Sequence, residues 1–92
     1  TFVSSHRDDA TTIAAVLDTG RTEEAERLAH SLKGASATLG LLDIHESAKA
    51  LEAAIRERLP AAQITLQQAR LAAQLAQTTS ALEQLFSTQP AP

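Results

Sequence analysis

Ninety-two residues suit one domain with a single core, and a chain this short is marginal unless it packs well. A formal net charge of −3 with dispersed Lys and Arg argues against nucleic acid as the main partner and leaves no basic patch for an anionic membrane. The absence of cysteine removes disulfides and thiolate metal sites, and no apolar run approaches the roughly eighteen residues that cross a bilayer.

What remains is helix-forming material. Ala, Leu, Gln, Glu and Arg dominate, Gly and Pro number three each, and Phe2 and Phe86 are the only aromatics. No secretory h-region is visible in these residues, and the profile is compatible with the cytoplasm.

In chain order, Phe2, His6, Ala10, Ile13, Val16 and Leu17 recur at helical spacing, which predicts a first helix over about 2–18. Asp18-Thr19-Gly20-Arg21 is a turn in which Gly20 is free to take a left-handed conformation. Thr22 is placed to cap a second helix over 22–39, with Glu23 and Glu24 in its first turn, where the helix dipole favours negative charge. Gly40 is suited to end it. Asp43 followed by Glu46 reads as a capping box, so a third helix is expected from Ile44. Its stripe is Ile44, Ala48, Leu51 and Ile55, and Pro60 disfavours helix in the residue before it, giving a span of about 43–58. A fourth helix, about 60–87, opens at Pro60 and carries Ile64, Leu71, Leu75, Thr78, Leu82, Leu85 and Phe86. The tail 88–92 has no periodicity and is expected to be disordered. Four amphipathic helices on short turns bury their stripes most simply as an all-α, antiparallel up-down-up-down bundle, one domain over 1–87.

The second helix holds the unusual feature. Projected at about 100° per residue from Leu28, the residues Leu32, Ala35, Ser36 and Leu39 fall within about 80° of it and predict a buried stripe. His30, Lys33, Gly34 and Ala37 fall between about 140° and 240°, on the opposite face. The imidazole of His30 therefore points to water from a nearly bare patch of helix. Gly34 costs about 1 kcal/mol relative to alanine in a helix, and nothing on the core side asks for it. Lys33 places a mobile cation beside the ring, where it can meet a negative group carried on it.

The order His30, Leu32, Lys33, Gly34 and Gly40, with the small residues Ala35, Ser36 and Ala37 between, resembles the central motif of histidine phosphotransfer domains, the helical carriers of multistep phosphorelays. That resemblance is close over eleven residues and extends as a pattern of helices over nearly the whole chain. It implies the same four-helix bundle, with His30 as the phosphorylated nucleophile and Lys33 steadying the phosphoryl oxygens. It also implies a response-regulator receiver domain as partner, bringing a phosphorylated aspartate, a bound Mg²⁺ and a lysine, and docking on a floor formed by Gly34 and Ala37. No bound cofactor or metal is expected on the chain itself. Family members often carry an acidic or amide side chain on the following helix that approaches the imidazole, and the matching pair here is Leu51-Glu52. On its helical wheel Glu52 lies about 80° from Ile44, at the flank of the stripe, from which it could orient His30. A solvated Glu52, or one paired with Lys49 or Arg56, is the equal alternative.

Other readings are weaker. His6 and His45 read as helix-surface or boundary residues, and the three histidines lack metal-ligand spacing. Adjacent helical residues point about 100° apart, which separates Asp8 from Asp9 as a dyad and Ser31 from His30 as a nucleophile and base. The expectation is a phosphotransfer intermediate rather than an enzyme, monomeric as an isolated domain, without direct membrane contact. A start inside a helix and a Pro-containing tail suggest the C-terminal module of a hybrid sensor histidine kinase, which would carry the kinase activity elsewhere. The alternative function is a non-catalytic bundle for interaction or dimerisation.

Overall fold

The computed structural model describes residues 2–87, and the expected tail 88–92 lies outside them. The elements are α1 (Phe2–His6), α2 (Asp9–Asp18), α3 (Thr22–Thr38), α4 (Leu42–Arg56) and α5 (Ala61–Ser87). Helices α2 to α5 pack in a ring, each against its neighbours in sequence and α2 against α5, as an antiparallel four-helix bundle. The expected architecture holds. No helix among the described residues is long and apolar enough to cross a membrane.

The core is made of the predicted stripes with one rotation. Ile13 and Val16 of α2, Ile44, Ala48, Leu51 and Ile55 of α4, and Leu71 and Leu75 of α5 are all buried. Each fully buried Leu or Ile contributes roughly 1.5–3 kcal/mol before chain entropy is subtracted. On α3 the buried residues are Ala25, Ala29, Leu32 and Ser36, while Leu28 is only partly buried and Leu39 is 57% exposed. The buried line is thus centred about 70° from Leu28. Leu39 leaves the core as a correction to the sequence expectation, because small residues face α4 and let its backbone approach. Ser36 satisfies its buried hydroxyl on its own helix, donating to the Leu32 carbonyl at 2.7 Å.

The helix ends also depart from expectation, for a shared reason. The first helix is two, because Arg7 and Asp8 form a turn in which Asp8 has φ −99° and ψ 8°. Short polar Asp side chains favour such boundaries over helix interiors, and His6 Nδ1 spans the break to Asp9 Oδ2 at 2.6 Å. At the α2–α3 turn Gly20 adopts φ +77°, Arg21 N–H donates to Val16 O at 3.1 Å and Gly20 N–H to Leu17 O at 3.0 Å, a complete Schellman motif. Gly40 repeats it at φ +72°, with Leu41 N–H on Ser36 O at 2.8 Å and Gly40 N–H on Ala37 O at 3.1 Å. Each reversal leaves a single linking residue before the next helix. Arg21 and Leu41 therefore hold the N-cap positions without side-chain bonds, and neither the Thr22 cap nor the Asp43–Glu46 capping box forms. Thr22 is already helical, and Asp43 lies in the first turn of α4. Helix α4 ends at Arg56, earlier than expected, because residues 57–59 build a third reversal with Arg58 at φ +54°. Pro60 precedes α5 rather than opening it, and its carbonyl accepts Ile64 N–H at 3.2 Å.

Candidate functional site

The groove between α3 and α4 gathers the charged residues. His30 projects from the middle of α3 with its side chain 70% exposed, as its place on the helical wheel required. From α4, Glu52 reaches the same point but is 4% exposed, lying beside Leu51 at the edge of the core. Its two oxygens are divided among three cationic or N–H groups. Oε2 accepts from His30 Nδ1 at 2.7 Å. Oε1 accepts from Lys33 Nζ at 2.8 Å and from Arg56 Nη2 at 2.6 Å. The residues sit at i and i+3 on α3 and at i and i+4 on α4, the spacings that place side chains on one helical face.

Burial by itself would raise the Glu52 carboxyl, but the hydrogen bonds from Lys33, His30 and Arg56, with the charge of Lys33, overcome it and hold the group at about 2. Glu52 is therefore an anion at neutral pH. An ionised carboxylate can only accept, so the proton of the shared bond sits on His30 Nδ1. In the neutral ring the outward Nε2 then keeps its lone pair. Arg56, bonded first to Glu26 and then to Glu52, has its guanidinium held above its ordinary range.

Lys33 corrects one detail of the helical projection. It is 25% exposed rather than free in solvent, because its four-carbon stem lies along the groove and brings Nζ back to Glu52. Gly34 and Ala37 are exposed on the outer face, and a Cβ built at Gly34 meets nothing within 4 Å. The molecule itself does not need a glycine there. Glu52 bonds His30 and pairs with Arg56 at once, and its burial rules out the solvated carboxylate that the sequence left as an alternative.

Two residues of this cluster were not assigned to it from the sequence, Glu26 being passed over and His45 being read as a helix-surface or boundary residue. Glu26, one turn before His30, accepts from Arg56 Nε at 3.0 Å and extends the network back across the groove to α3. His45 Nδ1 meets the Lys33 carbonyl at 3.1 Å, tying the start of α4 to the site-bearing turn of α3. For Glu26 the only signal was its i, i+4 relation to His30, which does not indicate what stands opposite.

The comparisons with known proteins bear on the whole chain. No curated protein and no solved structure matches it. The family model of the Hpt domain matches residues 1–88. Domains of this kind pass phosphoryl groups by way of a histidine in two-component phosphorelays and interact with receiver domains. With that match running the length of the bundle, the chain belongs to the histidine phosphotransfer domain family.

Proposed function

We propose that His30 accepts a phosphoryl group from the aspartate of a receiver domain and passes it to the aspartate of another. The observation that carries this reading is a ring fixed at Nδ1 by a buried anion while its Nε2 edge stays open to solvent. Fixing the tautomer holds the nucleophilic lone pair outward without cost at the moment of reaction. Glu52 is the orienting group in this scheme, and it also stabilises the positive ring formed when Nε2 bonds to phosphorus.

Lys33 steadies the phosphoryl oxygens, turning toward them from Glu52. Phosphoryl transfer asks for in-line positioning and charge stabilisation, and the receiver supplies the remainder, including its Mg²⁺. Gly34 and Ala37 form the floor on which the receiver docks. The chain is then an intermediate in the relay, with kinase activity residing elsewhere.

The test is transfer from a phosphorylated receiver domain to this chain and to its His30→Gln variant, read by intact mass and acid lability. An acid-labile, alkali-stable adduct on the parent alone is expected. A well-folded parent that takes up no phosphoryl group from any of several receivers would overturn the reading in favour of a binding module.

A further inference from the structure

Four charged side chains beside His30, linked in line as Glu26–Arg56–Glu52–Lys33, make a frame whose own charges sum to zero. Helix α3 contributes Glu26 and Lys33, on the turns before and after His30, and α4 contributes Glu52 and Arg56. The Arg56 guanidinium bridges both carboxylates, with Nε on Glu26 at 3.0 Å and Nη2 on Glu52 at 2.6 Å, and Lys33 holds Glu52 from the other side at 2.8 Å. Glu52 is buried and committed to the ring, whereas Glu26 touches neither His30 nor Lys33 in this arrangement and is partly exposed. Its one charged partner among the described residues is Arg56.

We propose that the Glu26–Arg56 ion pair sets how strongly His30 retains a phosphoryl group, Glu26 acting as a counter-charge that keeps Arg56 from the phosphoryl oxygens. This rests on His30 being the acceptor. In the transfer, the Nε2 lone pair forms the N–P bond as the P–O bond to the receiver aspartate breaks, its electron pair leaving on the aspartate carboxylate. Nδ1 keeps its proton and goes on donating it to Glu52 Oε2. The product carries two negative charges on the phosphoryl group and one positive charge on the ring, so the site gains one negative charge in all. Glu26 and Glu52 repel that charge, and Lys33 and Arg56 attract it. A frame already neutral before transfer binds the group weakly, which suits a carrier that must give it up.

Altering either member of the pair moves the balance in a definite direction. Glu26→Gln leaves the frame at +1 and frees Arg56, while Arg56→Gln leaves it at −1. One unit charge about a helical turn away at a partly solvated surface changes an equilibrium about three- to fivefold.

The experiment uses phosphoramidate, which donates its phosphoryl group and releases ammonia. Parent, His30→Gln, Glu26→Gln, Arg56→Gln and the double Glu26→Gln/Arg56→Gln chain are brought to a plateau at a fixed ratio of phosphoramidate to ammonia. Occupancy is read by intact mass, and folding is checked by circular dichroism. The ratio of phosphorylated to free chain is expected to rise about three- to fivefold in Glu26→Gln, to fall by a similar factor in Arg56→Gln and to return toward the parent in the double variant. These differences should shrink in about 1 M salt. A pair that serves only as a brace between α3 and α4 is broken in both single variants, so shifts in the same direction overturn the proposal, as do unchanged plateaus. A parent that stays unmodified, or a His30→Gln chain that is modified equally, removes His30 as the acceptor and this proposal with it.

Discussion

Gly34 separates what the fold needs from what the surface needs. A glycine within a helix costs about 1 kcal/mol relative to alanine, and a side chain here would meet open space. Gly34→Gln should therefore raise stability by several tenths of a kcal/mol to about 1 kcal/mol in urea unfolding, while cutting transfer from a receiver at least about tenfold. Unimpaired transfer in that variant would remove Gly34 from the docking floor. The outward face of His30 and Gly34 was legible in the sequence because helical periodicity alone decides it. The Glu52 contact was legible as a possibility, from its position at the flank of the α4 stripe. Arg56 and Glu26 were not legible as a pair, because their meeting depends on the relative rotation of α3 and α4, and no single helix encodes that. The same rotation explains Leu39. Alanines weigh little on a hydrophobic wheel, yet Ala25 and Ala29 are fully buried and pull the contact line toward themselves.

The helix ends share one device with unequal residues. Gly20 and Gly40 take the left-handed position of their reversals at no steric cost, whereas Arg58 takes it with a Cβ. Leu59 N–H on Ala54 O and Arg58 N–H on Ile55 O, both at 3.1 Å, hold it there. Arg58→Gly is expected to stabilise the chain by about 1 kcal/mol, seen as a higher urea midpoint at unchanged slope. No gain would mean that the Arg58 side chain contributes as much as its backbone costs. The two glycine turns were readable before the structure, and the arginine turn was not, since Arg carries no preference for that conformation. The side-chain capping signals at Thr22 and Asp43 misled by one or two residues because the backbone reversals before them had already set where the next helix begins.

At the scale of the whole molecule, the buried carboxylate links the site to stability. The Glu52 carboxyl sits at about 2 in the folded chain against 4.5 as the ordinary value. A group depressed in this way contributes stability that is fully present above the unfolded value and is lost as pH falls through the folded one. The contribution, up to about 3 kcal/mol, should therefore disappear between about pH 4.5 and pH 2. Urea unfolding of the parent at neutral pH and near pH 3 is expected to show the loss, and Glu52→Gln should flatten that part of the pH dependence. An equal acid slope in the variant would place the sensitivity elsewhere. The four-helix architecture was the most legible level of all, because stripes, short turns and chain length leave few alternatives. The end of α5 was less so, since the apolar spacing continues to Leu85 and yet that side chain is exposed.

The tight reversal at Gly40 also bears on how the site comes into being. Glu26, His30, Lys33, Glu52 and Arg56 all belong to the single helical hairpin α3–α4, and the largest sequence separation among their contacts is the 30 residues between Glu26 and Arg56. Local pairings form early, since little loop-closure entropy opposes them. Assembly of the His30 cluster therefore requires only the pairing of α3 with α4, while α2 and α5 cover the apolar side of that hairpin. His30 and the side chains bonded around it lie on α3 and α4 alone, so a local opening of α2 or α5 would leave their register in place.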